Sequence, residues 1–431
     1  MIYTIIQYLT LIILSIGGFY YLTVERSFVL KSAFGTKTTF PVINLQYLLL
    51  FIFATAIIGC GGELMSIRLL VCIILCFIGL LSAKGIIPLS IPIVFYTLYL
   101  CWLLIEIGLS PVKGFGFRVF LKYLYPFLIL LFASKLVQLG HAKDFYLKGL
   151  KIILYLGIFS VFWFSIMGIP FVYISLSPVL FFGTALLDFL PIPLTISLYL
   201  YSLVRKKKYL FYSLLFVLPC IWHTNRTGLL AISITIVLFS IVRYRIKSIP
   251  YVLIGCSILI GSVLYIPQFR DKMFNKQMSA DEILERRDEL TADDIDTNGR
   301  FAIWEWSLNN YYKGSEWKGS GLGVLQEFLY SDQNPWTITA VHNDYVQILC
   351  DTGLIGLSLY ILALLSIITH SLVVYFRARS QLVKMASFIA GVGLASMLST
   401  LYTDNVVNYS LMTLSFPFAL YGMMLGLKRG K

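Results

Sequence analysis

The apolar residues of this chain gather into about thirteen runs, each long enough or nearly so to cross a hydrocarbon core that takes roughly 20 helical residues. The runs centre on residues 1–22, 45–60, 66–83, 86–109, 121–139, 152–169, 186–204, 209–223, 229–242, 249–266, 353–376, 385–404 and 408–427. Lipid offers a backbone N–H or C=O no partner outside its own helix, so such a chain is restricted to a bundle of transmembrane helices. With 58% hydrophobic and 13% charged residues in 431, it is too apolar for an ordinary soluble domain. The expected fold is an all-α polytopic membrane protein of twelve or thirteen spans. Residues 1–22 lack a basic start and a small-residue cleavage site, so they read as a first span and not a removed signal peptide.

Lys and Arg set the expected orientation. "RKKK" (205–208), "RYRIK" (243–247), "RARSQLVK" (377–384) and the terminal "KRGK" border spans on one side, which the positive-inside rule makes cytoplasmic. The long polar segment 267–341 then lies outside, between the tenth and eleventh spans, and its charge agrees: 13 acidic against 8 basic residues. The net +13 of the whole chain therefore reports topology and anionic lipid, not nucleic acid. Three parts are expected: an N-terminal bundle (1–266), an extracytoplasmic loop domain (267–343) and C-terminal helices (344–431). The seven cysteines lack paired-ligand spacing and read as packing residues.

The loop domain divides in two. Residues 270–298 are charged and nearly free of aromatics, and read as a short solvated helix with an acidic turn. In 299–341, Asn298 and Gly299 are candidate helix starts, and "RFAIWEWSLNNYY" places Arg300, Trp304 and Leu308 on one face. "GSGLG" reads as a tight turn, since no strand-turn-helix frame surrounds it to make a phosphate cradle. Asn343 or Asp344 caps a helix through "YVQILCD", with Gly353 near its end. His342 thus stands just ahead of a helix N-terminus at the outer surface.

Several of these side chains carry two readings. Arg226, in "WHTNRTGLL", either snorkels to headgroup phosphate or clamps a phosphate or pyrophosphate with its guanidinium fork. Arg300 either offsets the acidic stretch before it or joins Arg226, which faces the same side. His342 is either a structural residue near a cap or a base for a hydroxyl proton, with Asn343 and Asp344 available to hold its ring. Asp404 pairs with an arginine, lines a pocket or reaches water. Trp304 and Trp306 stack on sugar rings or fill a small core. His342 has no His or Cys at ligand spacing, so neither a metal nor a cofactor is expected.

From Arg300 to Gly356, the order "GRFAIWEWSL", "GSGLG", "HNDYVQILCDTGLIG" resembles the signature domain of the O-antigen ligase and polymerase superfamily of bacterial membrane glycosyltransferases. "NRTG" resembles the family's arginine before the large outer loop, extending the resemblance to roughly residues 180–376. The resemblance implies about twelve helices, a loop folded over a lipid-facing cavity, and an active site on the outer side of the bacterial inner membrane. It implies an undecaprenyl-pyrophosphate-linked glycan as donor and metal-free transfer to a sugar hydroxyl. Arg226 and Arg300 would bind the pyrophosphate, and His342 would activate or position the acceptor. The expected function is polymerisation of O-antigen or capsule onto a lipid-linked repeat unit, with a chain-length regulator as a possible partner. The close alternative is a ligase transferring to lipid A-core or protein. A lipid or polysaccharide transporter, the alternative outside enzymes, would require paired intramembrane charges and broken helices, whereas the charges here gather in one loop.

Overall fold

A computed structural model describes residues 2–23, 27–31, 37–41, 45–54, 62–139, 141–166, 169–171, 174, 188–222, 225–274, 279–286, 294, 299–334, 340–409 and 413–429. It is a helical bundle. α1 (Ile2–Thr23) is followed by two short antiparallel strands, β1 (Ser27–Lys31) and β2 (Lys37–Pro41), the one departure from an all-helical chain among the described residues. Then come α2 (Leu45–Ala54), α3 (Gly62–Ser82), α4 (Ile91–Leu109), α5 (Lys113–Leu136), α6 (Ala142–Ile166), α7 (Pro191–Val204), α8 (Lys207–Trp222), α9 (Arg226–Tyr244) and α10 (Ile249–Tyr265). The loop segment contributes α11 (Pro267–Met273), α12 (Ala280–Glu285), α13 (Arg300–Ser307) and α14 (Val324–Tyr330). The chain returns to the bundle through α15 (Asp344–Arg377), α16 (Gln381–Thr403) and α17 (Ser415–Arg429).

Each apolar run of the sequence overlaps one of these helices. Among the described residues, six helices are long and apolar enough to span a membrane: α4, α5, α6, α9, α15 and α16, with α5 and α9 each counted together with the short turn that follows. Others, such as α2 and α7, are apolar but shorter.

α5, α16 and α17 form the centre, with Phe132, Phe388, Phe418 and Tyr421 fully enclosed. The contact of α17 with α5 depends on the sequence "GMMLG": a Cβ on Gly422 would collide with the carbonyl of Leu130, and one on Gly426 with that of Ser134. Small residues four apart let two backbones approach closely where lipid supplies no hydrophobic drive.

Aromatic contacts fix how the helices run. Phe388 near the start of α16 packs on Tyr199 from the end of α7, Tyr375 from the end of α15 and Phe239 from α9. Arg243 lies over the Tyr199 ring and reaches the Tyr375 hydroxyl. One end of the bundle therefore collects Arg243, Arg245, Arg377 and Lys428, the basic end. The opposite end holds the starts of α7, α9 and α15 and the end of α16, and there the loop segment docks.

The docking is specific. "GSGLG" seats between α15 and the α4–α5 turn, with Ser320 and Gly321 N–H donating to the carbonyls of Cys350 and Asp351 at 2.9 and 3.1 Å. Ser110 Oγ donates to Leu322 O at 3.0 Å. Gly353 has φ +64° and ψ −168°, so the sequence-expected helix of "YVQILCD" and the following span are two helices joined across a kink. At that kink Leu354 and Ile355 N–H bond to Glu316 and Trp317 carbonyls of the loop. The turn reading of "GSGLG" stands, and its purpose is to lock the loop onto a broken helix.

The loop has its own core of Leu325, Leu329, Val341 and Cys350, flanked by Trp304, Trp306, Tyr311 and Phe328. Burial there pushes the Tyr311 phenol above its ordinary range. α12 begins with a reciprocal capping box, Ser279 Oγ accepting from Glu282 N–H and the Glu282 carboxylate from Ser279 N–H. This is the short solvated helix read in 270–298; most of the acidic turn after it, and Asn298, lie outside the described residues.

Candidate functional site

Asn343 is the residue that starts α15: its side chain accepts Val346 N–H at 3.1 Å. Because Asn343 is extended and the helix begins at Asp344, the preceding residue must turn sharply, and His342 does so with φ +54°. A left-handed conformation is unfavourable for a residue with a Cβ and is retained where surroundings enforce it. The enforcing contact is Asp404: His342 Nδ1 lies 3.0 Å from its Oδ1. Asp404 ends α16, and the same oxygen accepts Asn405 N–H at 2.8 Å.

This pair has a defined chemical consequence. Asp404 is nine-tenths buried and His342 about one-third exposed. A carboxylate acceptor at Nδ1 selects the Nδ1–H tautomer of a neutral imidazole and leaves Nε2 as a proton acceptor. Neither Asn343 nor Asp344 orients the ring. Asn343 is spent on the cap, and Asp344, buried, accepts Val407 N–H at 3.1 Å.

Arg300 opens α13 behind Gly299, whose backbone is left-handed. Its guanidinium is half-buried and donates through Nη1 to Thr403 O, one residue before Asp404. Trp304, one turn on, donates to Val341 O at 2.8 Å and packs edge-on against Tyr402. Arg300 and His342 are thus pinned to the same end of α16, by Thr403 and Asp404. Trp306 stacks on Phe328 at 4.6 Å and also meets Tyr311, so its ring fills the loop core.

Arg226 starts α9 behind Asn225, whose side chain caps the helix through Gly228 N–H. One guanidinium nitrogen donates to Lys272 O at 2.7 Å, fastening the start of α9 to α11. The turn before it closes through Asn225 N–H to Cys220 O, and Cys220 lies within electrostatic reach of Asp188. Asp188 in turn senses Asp404, Asp344 and Arg300. Arg226 therefore stands at the end of the bundle that holds His342 and Arg300.

Three participants escape a reading of the sequence. Asp188 is 1% exposed, and its Oδ2 has no hydrogen-bond partner among the described residues. Asn405 is equally buried, and neither of its side-chain amide atoms has a hydrogen-bond partner among the described residues. Lys122, inside the apolar run of α5, donates to Asn408 Oδ1 and faces Asp344. A charge within an apolar run was the available signal for Lys122, and an acid immediately before an apolar helix opening Pro191-Ile192-Pro193 was that for Asp188. Unpartnered polar atoms in a buried cluster are costly and mark places where a ligand or water completes the arrangement.

Asp351, also 1% exposed, belongs elsewhere: its Oδ1 accepts Leu325 N–H at 3.4 Å beneath the "GSGLG" seat. Among the described residues, no group of three or more His, Cys, Asp or Glu side chains has metal-site geometry.

A family model described as O-antigen ligase matches residues 210–361. Residues 210–361 are thus similar to an O-antigen ligase domain. The match is consistent with the O-antigen ligase and polymerase superfamily that the sequence resembles, and it runs from α8 through α9, α10 and the whole loop segment to the middle of α15. It contains Arg226, Arg300, Trp304, Trp306, His342, Asn343 and Asp344; Asp404, Asp188 and Lys122 lie outside it. Comparison with curated proteins gives no match. Similarity to that family in a helical membrane bundle supports a glycosyltransferase-type function in polysaccharide assembly, with lipid-linked glycans as the implied substrates.

Proposed function

We propose that this protein is a polymerase that lengthens a surface polysaccharide, O-antigen or capsule, by moving an undecaprenyl-pyrophosphate-linked glycan en bloc onto a hydroxyl of a lipid-linked repeat unit. The observation that carries the reading is the His342–Asp404 hydrogen bond beside Arg300, at the loop end of an O-antigen ligase domain. In the reaction the acceptor hydroxyl attacks the anomeric carbon of the donor sugar and the bond from that carbon to the pyrophosphate oxygen breaks. The hydroxyl proton passes to His342 Nε2, and undecaprenyl pyrophosphate departs. Asp404 stabilises the imidazolium that results, a contribution of the kind that gives general bases about 10²- to 10⁴-fold.

Pyrophosphate gains charge as it leaves, and fixed guanidiniums in a partly dry site lower that barrier more than they would in water. Arg300 and Arg226 fill this role from α13 and α9. Asp404 keeps the His342 ring oriented before substrate arrives. Trp304 borders the same space, and Asn343 and Asp344 support the turn that presents His342. No metal takes part. The protein acts in the bacterial inner membrane with its site on the outer face, and a chain-length regulator sets how often it fires.

A ligase that transfers the finished glycan to lipid A-core or protein is the second reading, favoured by the description of the matched family model. Deleting the protein and separating surface glycans by size tests the choice. Loss of a polymerase leaves a single repeat unit attached, whereas loss of a ligase leaves long lipid-linked polymer unattached.

A further inference from the structure

The basic end of the bundle contains a second built feature, far from the loop. A cavity of about 610 Å³ opens there between the start of α4, the end of α15 and the end of α17, lined by Leu89, Ile91, His370, Val373, Lys428 and Arg429 among others. A neighbouring cavity of about 350 Å³ shares His370, Val373 and Lys428 with it and adds Arg377 and Arg379, so the two form one continuous groove.

One wall of the groove is an ordered polar chain. Lys428 Nζ donates to His370 Nε2 at 3.5 Å, His370 Nδ1–H donates to Tyr421 Oη at 2.7 Å, and that hydroxyl lies 3.4 Å from Ser90 Oγ. Tyr421 is fully buried, so this wall is fixed from below by the central helix α17. No carboxylate lines either cavity, and none lies within ion-pair distance of Arg377, Arg379, Lys428 or Arg429 among the described residues. The opposite wall is apolar and outward-facing: Leu89 is 82% exposed and Ile91 69%.

We infer that this groove binds an anionic phospholipid, its phosphate held by Arg377, Arg379, Lys428 and Arg429 and its acyl chains lying against Leu89, Ile91 and Val373. The charge complementarity selects an anion. The exposed apolar wall selects one that carries hydrocarbon, because a free phosphate gains nothing from it. Cations at a membrane surface attract anionic lipid, and a groove that gathers four around a fixed wall adds position to that attraction.

Native mass spectrometry of the full chain, equilibrated in detergent with phosphatidylglycerol and phosphatidylcholine in equal amounts, tests the inference. Retained phosphatidylglycerol should exceed phosphatidylcholine roughly tenfold, and Arg377→Gln with Arg379→Gln should remove most of that preference. A control that deletes the same charge at the same end outside the groove, Lys206→Gln with Lys207→Gln, should keep it. Equal retention of the two lipids, or equal loss of preference in both double variants, would overturn the site. Displacement of the lipid by millimolar inorganic pyrophosphate alone would also overturn it, in favour of a soluble-anion site. If the groove variants lose the folded protein, Leu89→Ser with Ile91→Ser reads the apolar wall instead: lipid retention must drop while the protein stays monodisperse, and unchanged retention counts against the inference.

Discussion

His342 is held in a backbone conformation that costs a residue with a Cβ about 1–2 kcal/mol, and the contact that holds it is a buried carboxylate. If that carboxylate serves the imidazole, its loss and the loss of the ring are one loss. Asp404→Asn should therefore reduce glycan transfer nearly as far as His342→Ala, by about 10²- to 10⁴-fold, and the double variant should be no worse than His342→Ala alone. Additive losses in rate measurements on the three variants would separate the two residues. Arg300 gives a second test. Arg300→Lys keeps the charge but not the fork that reaches Thr403 O and a phosphate together, so transfer should drop at least tenfold with the protein still folded. Full activity in that variant would reduce Arg300 to a docking residue. Of these roles, the sequence announces Arg226, Arg300 and His342, because each lies in a short motif. It does not announce that Asp404 is the partner of His342, since 62 positions separate them and only the packing of α16 beside the start of α15 joins them. Asp188 and Asn405 are silent for the same reason: their environment is made by helices distant in the chain.

The loop is placed by α15, which is two helices meeting at Gly353. A Cβ there would strike the Trp317 carbonyl, and φ of +64° is unfavourable for any residue with a side chain. Gly353→Ala should therefore loosen the loop at the kink, seen as faster proteolysis within 299–341 and as a drop in transfer, while the bundle remains extractable in detergent. α17 makes the contrasting case. Gly422→Leu would force α17 away from the Leu130 backbone, an overpacking worth about 1–3 kcal/mol, and should lower the melting temperature of the whole bundle without a selective effect on the loop. At this scale the sequence is informative about existence and poor about continuity. Each apolar run falls on a helix, six of these being long and apolar enough to span a membrane among the described residues, and Asn343 marks the start of α15. The kink is hidden because glycine before an apolar run reads equally as a helix end and as a break within one helix.

The molecule as a whole has two chemically distinct ends. Arginine and lysine collect at one, with the lipid groove; buried acids, Arg226, Arg300 and His342 collect at the other, beneath a loop with its own aromatic core. Such a division suits an enzyme whose substrates arrive through the membrane and whose chemistry runs on one face. A chelator added to purified membranes should leave transfer unchanged, since the charge on the leaving pyrophosphate is met by guanidinium groups; a loss restored by adding back a divalent cation would assign that role to a metal. The most direct test of the account is transfer by purified protein, at matched amounts of wild type and His342→Ala, with a lipid-linked glycan donor and a lipid-linked repeat-unit acceptor. The account predicts a ladder of lengthened product from the wild type and almost none from the variant. An unaltered ladder from His342→Ala would contradict it.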